Sequence, residues 1–270
     1  IHETFIVEFD TTRADAISIC PISETHGFLS YRGGAAEHGF VKVIADNGSV
    51  VSTLEHDTNT IRNNYSEVCK IDDTHYALVY GGGASGYAYL KIFSIDGAYA
   101  ITEDSSTLLE EAFVYQIRIL KISGNRYVVI YSTADVTKIK LMNIDASYVV
   151  TTIDTIEIGT GINSKHLSLS KVDDTHFLAT HYSYNKGRLS SFEINESDEL
   201  VLLDEYIMGT YEGISSNIVI SYGNGYYLLI ESKPKGTTSS FVFSLDDEYL
   251  IKEVQEKSPT GVNYGFSVIS

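Results

Sequence analysis

Tyr31, Tyr80, Tyr131, His181 and Glu231 follow one another at intervals of 49, 51, 50 and 50 residues, each closing a similar six-residue phrase. A phenol carries a flat apolar face and a hydroxyl tip, while imidazole and carboxylate carry exchangeable protons. Gathered at one end of a fold, such side chains suit sugar rings and protein hot spots better than bond cleavage. Arg32, Arg62, Tyr184, Lys186 and Arg188 add donors close by in the chain. The expected ligand-binding set is therefore Tyr31, Arg32, Tyr80, Tyr131, His181, Tyr184 and Glu231.

The other motifs argue against reaction chemistry. Thr25–His26, Thr74–His75 and Thr175–His176 recur at the same place in three of the five repeats, beside turn residues, which reads as turn packing. His176 and His181 are five apart on one strand, so they point to opposite faces and cannot share a metal ion. Asp72–Asp73 lacks the alternating acids of a calcium loop. Neither a helix nor the required lysine follows Gly81–Gly82–Gly83, as a phosphate loop demands. Ser94–Ile95–Asp96–Gly97 departs from the sialidase box, and no Gly-x-Ser-x-Gly elbow occurs. We expect no catalytic residues, no metal and no cofactor. The alternative is a glycoside-active enzyme using carboxylates near a central channel, because 36 acidic residues leave room for a pair.

These residues need elements to position them. The six-residue phrases begin at positions 26, 75, 126, 176 and 226, a period typical of solenoids, propellers and arrays. The clearest unit reads as strands at 66–71, 76–80 and 87–95, with a glycine loop at 81–86 and the hairpin signal Asp96–Gly97. A short fourth strand at 99–102 then leads into a longer connection over 105–113. Third strands end on Asp46, Asp96, Asp145, Asn195 and Asp246, whose side chains can cap their own turns. Second strands are apolar at consecutive positions, as in Ala77, Leu78 and Val79, so both of their faces must be covered. A wheel of sheets does that.

Asp73–Thr74–His75–Tyr76 through Tyr80, and Asp174–Thr175–His176–Phe177, resemble the repeats of β-propellers built of four-stranded units of about fifty residues. The resemblance covers the whole chain. In similar proteins such repeats occur in extracellular and viral tail or adhesion modules. The expected fold is all-β, a five-bladed β-propeller of four-stranded antiparallel blades, in one domain over 1–270. Its units run approximately over 17–66, 67–116, 117–166, 167–216 and 217–266, with terminal strands at 1–16 and 267–270. Residues 3–9 read as a fourth strand, and 261–270 align with 161–170 as a further first strand. A six-bladed ring, or an open array completed by another chain, is therefore the alternative.

Composition narrows the partners. Hydrophobic residues make up 43%, with 20 tyrosines, no tryptophan and only 3 prolines, a β composition able to fill a core. A net charge of −17 without clustered Lys and Arg excludes nucleic acid as a partner. No run approaches the length of a membrane span, so we expect no membrane insertion. Cys20 and Cys69 sit at equivalent repeat positions and read as small hydrophobes, not a disulfide. The start at Ile1, without a leader pattern, reads as processing or as a piece of something longer. Asn47, Asn64 and Asn195 begin Asn-x-Ser sequons. The expectation is a non-catalytic binding, adhesion or structural module on an extracellular or virion surface. It would engage protein or glycan, with a possible homo-oligomer or filament through the terminal strands.

Overall fold

The computed structural model describes residues 10, 14–59, 65–160, 167–183, 186–210, 216–223, 225–232 and 238–257. Twenty strands form five antiparallel sheets of four, each in simple meander order. The first sheet is β1 (Ala14–Pro21), β2 (His26–Gly33), β3 (His38–Ala45) and β4 (Val50–Asp57). The second is β5 (Ser66–Lys70), β6 (His75–Gly82), β7 (Tyr87–Ile95) and β8 (Ile101–Glu110). The third is β9 (Gln116–Ser123), β10 (Arg126–Ser132), β11 (Val136–Ile144) and β12 (Val150–Thr160). The fourth is β13 (Ser168–Lys171), β14 (His176–Ser183), β15 (Lys186–Ile194) and β16 (Leu200–Thr210). The fifth is β17 (Ser216–Gly223), β18 (Tyr226–Ser232), β19 (Thr238–Leu245) and β20 (Ile251–Lys257). Successive sheets pack face to face through their first strands, β1 on β5, β5 on β9, β9 on β13 and β13 on β17. The architecture is propeller-like.

Alternation along the second strand explains the packing. On β6, Tyr76, Leu78 and Tyr80 join Phe28, Val41 and Val43 in a core between the first and second sheets. Ala77 and Val79, pointing the other way, join Ile117, Tyr127, Val129 and Tyr131 between the second and third. The same division places Val128 and Ile130 against Phe177 and Phe192, and Leu178 against Tyr227, Leu229 and Phe243. Burying each such side chain contributes about 1.5–3 kcal/mol. Four cores thus lie in four junctions, one per pair of neighbouring sheets.

The fourth strands correct the sequence reading. The strand expected at 99–102 with a connection over 105–113 is instead the ten-residue β8. Its sequence ITEDSSTLLE looks like loop because it is polar, but an outermost strand needs only one covered face. Loops are correspondingly shorter than expected: Gly81 and Gly82 belong to β6, and the turn occupies only the residues before Tyr87. Register shifts recur between third and fourth strands, at Ala88/Tyr89 and Ile92/Phe93 and at equivalent positions elsewhere. Such bulges bend and twist the outer strand.

The capping expected of the third-strand ends is present in four sheets. Asp96 Oδ1 accepts from the Ala98 and Ala100 amides, and Asp145, Asn195 and Asp246 do the same in their own turns. In the first sheet Asn47, not Asp46, plays this part, accepting from Ser49. Three residues past each cap the backbone turns left-handed, at Tyr99, Tyr148, Asp198 and Tyr249 (φ 60 to 63°). Gly48 (φ 82°) holds that place in the first sheet.

Candidate functional site: an aromatic recess between the first two sheets

The first four sheets each end their second strand in a small buried assembly. Tyr31, Tyr80 and Tyr131 are 3%, 2% and 0% exposed, so their faces are not presented to solvent as a rim of open rings. The reason is the alternation just described, which turns them into the junction with what precedes their sheet. The Tyr131 hydroxyl donates to Glu110 at the end of the previous sheet's β8 (2.8 Å). Tyr80 hydrogen-bonds Asp57 at the end of β4, and Tyr31 hydrogen-bonds Asp10. Burial first, and the neighbouring carboxylate second, push both the Tyr31 and the Tyr80 phenol far above their ordinary range. At Tyr131 burial and the bond to Glu110 do the same.

A lysine completes each set. Lys42, Lys91 and Lys140 lie 5.1, 5.9 and 5.8 Å from the ring centres of Tyr31, Tyr80 and Tyr131. Burial lowers the Lys42 and Lys140 ammonium groups from their usual range. The fourth sheet substitutes His181, fully buried, with Nε2 3.1 Å from Ser190 Oγ and 3.6 Å from Glu205. Burial, with Arg188 adding, lowers His181 to about 3, so it stays neutral at pH 7. A set repeated in separate junctions, buried each time, fastens sheets together. The sequence reading missed the lysines, although their 49-residue spacing was visible.

Two of these sets meet at a shallow, partly open recess between the first and second sheets, with an enclosed volume of about 10 Å³. Ala16, Tyr31, Arg32, His56, Tyr65, Ser66 and Tyr80 line it. Arg32 pairs with Asp15 (2.6 Å) and Glu37 (3.4 Å). His56 stands edge-on to Tyr80 with ring centres 4.8 Å apart. Burial, then the Lys91 charge, lowers His56 to about 3, and its main-chain oxygen accepts from Lys91 Nζ. Ser66 Oγ donates to the Ala16 carbonyl (2.7 Å) and meets Ser30 Oγ at 2.9 Å. Tyr65 is a half-buried part of the lining, with the Arg118 guanidinium 5.6 Å from its ring centre.

Of the seven expected binding residues, Tyr31, Arg32 and Tyr80 come together here. Tyr131 and His181 belong to other junctions. Glu231 holds the equivalent place on β18, opposite Asn217 and Ser239. Tyr184 lies outside the described residues. His56, Tyr65, Ser66 and Arg118 escaped the sequence reading because they come from strand ends and first strands of different units. The expected turn role of the repeated histidines is what the structure shows: Asp72 Oδ1 accepts from the Thr74 and His75 amides, and Asp173 from Thr175 and His176. Cys20 and Cys69 are free thiols. Among the described residues, no group of three or more His, Cys, Asp or Glu is placed to hold a metal ion, and no helix is long and apolar enough to cross a membrane.

No family model and no curated protein matches the chain. Among solved structures it is similar to a functionally unknown protein from Desulfotomaculum acetoxidans, at 14% identity and TM-score 0.63, covering 92% of this chain and 71% of that one. It is also similar to a Lactobacillus plantarum protein, at 13% identity and TM-score 0.65, covering 92% and 72%. A hypothetical selenium-binding protein from Sulfolobus tokodaii follows, at 11% identity and TM-score 0.62, covering 92% and 66%. At these identities the likeness speaks for the fold alone.

Proposed function

We propose that this chain is a non-catalytic binding or structural module, a single propeller-like domain that engages a protein or glycan at the recess between its first two sheets. One observation carries the reading: the recess brings aromatic faces, a guanidinium and a neutral imidazole to one partly open hollow. Its enclosed volume of about 10 Å³ is far below the 300–1,000 Å³ of ordinary small-molecule pockets and matches at most one water. A partner's group would rest against this shallow recess and its lining Tyr65, with the Arg118 guanidinium beside that ring, instead of entering it. Elsewhere the ionisable groups are spent on capping and on fastening sheets, which leaves them poorly placed for turnover. Location on an extracellular or virion surface fits the −17 charge and the exposed Asn47 sequon.

Glycan and peptide arrays test this reading. A captured ligand should lose about tenfold or more in affinity in Tyr65→Ala or Arg118→Ala, since one such contact carries about 1.4 kcal/mol or more. Circular dichroism should stay unchanged. A ligand whose affinity ignores both substitutions removes the recess from the proposal.

A further inference from the structure

The junction between the third and fourth sheets departs from its neighbours at every recurring place. Second strands of the first three sheets end on Tyr31, Tyr80 and Tyr131; the fourth ends its repeat of that phrase on His181, 0% exposed. Ala179 and Phe177, two and four residues earlier, pack toward the third sheet, so the alternation turns His181 the same way. Ser190 takes the place of Lys42, Lys91 and Lys140, since it pairs with Ala179 as Lys140 pairs with Val129. Ser18, Glu67 and Ser168 each clasp an amide of the next first strand, but the repeat puts Arg118 at that place in the third sheet. A guanidinium has no acceptor to offer, and the clasp falls instead to Gln116, on the Leu167 amide. At the turns, Arg126 pairs with Asp198 where the other three junctions stack histidine on tyrosine.

These exchanges strand a basic atom. His181 Nε2 lies 3.1 Å from Ser190 Oγ, but Nδ1 has no partner. Thr137, paired with Ile158 on the third sheet's face toward this junction, is also fully buried with its hydroxyl unpartnered. A buried polar atom left unpaired costs about 1–3 kcal/mol. Other junctions strand phenol hydroxyls, at Tyr76 and Tyr127, which gain nothing from acid; an imidazole nitrogen can take up a proton. Among the described residues, the charges around His181 are already engaged. Glu205 lies 3.6 Å from Nε2 but pairs with Arg188, Asp154 of the third sheet holds the Leu200 amide, and Arg118 lies beside the Tyr65 ring. His56 has a similar unpartnered Nδ1 in the first junction, but that junction keeps its Tyr80 and Lys91 set, its Ser18 clasp and its His26–Tyr99 stack.

We infer that the third and fourth sheets meet in an acid-released seam: the stack parts there first, and a proton taken up by the uncovered His181 holds it open. The direction follows from burial. In the closed junction burial, with the Arg188 charge adding, lowers His181 to about 3, whereas in water it returns to 6.5. Between those values the open seam binds a proton that the closed seam refuses, so closure keeps its full stability only above 6.5. Each pH unit below that value should raise the opening equilibrium about tenfold, until the closed imidazole itself titrates. The seam and the recess lie in different junctions, and either can stand without the other.

Single cysteines, in the intact chain carrying Cys20→Ser and Cys69→Ala, test it. Val128 and Val129 are neighbours on β10, both 0% exposed; the first faces the seam and the second faces the junction with the second sheet. Val128→Cys and Val129→Cys, in separate chains, are reacted with dipyridyl disulfide at pH 7 and at pH 5. Each rate is divided by that of the same variant unfolded in urea at the same pH, which removes the thiol's own pH dependence. The corrected rate at 128 should exceed that at 129 at pH 7. On passing to pH 5 it should rise about 25-fold, as a group titrating at 6.5 when open gives over that interval. His181→Phe should abolish the rise at 128. His181→Gln, which keeps a neutral polar side chain there, should do the same and serves if the Phe variant fails to fold. A corrected rate at 128 equal to or below that at 129 would mean that the stack does not part first at the seam, and overturns the inference. A rate at 128 indifferent to pH, or a rise that persists in both variants, overturns it equally.

Discussion

The junction between the second and third sheets and the one between the third and fourth solve the same problem with different chemistry. In the former, His75 stacks on Tyr148 at 3.6 Å, the Tyr148 hydroxyl donates to Asp72 (2.9 Å), and Tyr131 donates to Glu110. Glu67 accepts from the Ile119 amide across the first strands (2.6 Å). In the latter, Arg126 pairs with Asp198, Gln116 accepts from the Leu167 amide (2.5 Å), and Asp154 accepts from Leu200 (2.8 Å). The positions are conserved through the repeat while the side chains are exchanged. A slot thus specifies a distance and a backbone shape, and either a stacked ring or an ion pair can fill it. What cannot be exchanged is the apolar centre, which is buried alike in both.

Replacing that centre gives the largest effect. Tyr131→Ala should lower stability by about 3–5 kcal/mol in urea unfolding, as expected for emptying a buried aromatic site. Arg126→Ala, at the rim of the next junction, should cost about 1 kcal/mol or less. Equal losses would erase the distinction between centre and rim. Gly82→Ala comes next, at about 1–3 kcal/mol, because the added methyl meets the Tyr80 ring and Asp57 carboxylate that fasten the second sheet.

Acid should then separate the two junction types. Burial alone would raise Asp72, but bonds from the Thr74 amide, the Tyr148 hydroxyl and His75 outweigh it and hold the carboxyl far below its ordinary 3.8. Asp173 is held down in the same way, with Tyr249 as the neighbour's hydroxyl. A depressed carboxylate contributes stability above its unfolded value of 3.8 and loses it as pH falls through the lower folded value. Asp72→Asn and Asp173→Asn should therefore flatten the fall in melting temperature below pH 4, compared with the parent chain. An unchanged acid limb in the double variant would show that these caps do not hold the junctions. The smallest effect is ionic. A double-mutant cycle on Arg126 and Asp198 should give a coupling of about 0.2–1 kcal/mol that shrinks in 1 M salt, while the His75–Tyr148 stack changes little.

Much of the fold could be read in advance, because second strands are apolar at consecutive positions and third strands end on regularly spaced Asp or Asn turns. The outer strands could not, since β8 is polar on one face and bulged, which breaks its alternation. The tyrosines at strand ends were found by spacing, yet their burial was hidden: the partner of Tyr80 is Asp57, in the preceding unit. Tyr148 was missed for a related reason, since its partners His75 and Asp72 lie 73 and 76 residues earlier. A search for pairs offset by one and a half repeats would have exposed it.

The way the sheets meet has a consequence for how the molecule comes apart. Inner-strand amides that would otherwise lie bare at Val68, Ile119 and Val219 are clasped by Ser18, Glu67 and Ser168 of the preceding sheet. Among the described residues these clasps fasten each sheet to the one beside it, so loosening should travel from sheet to neighbouring sheet instead of striking all five at once. Those three amides then act as built-in tell-tales, whose proton exchange with solvent would report which step has given way.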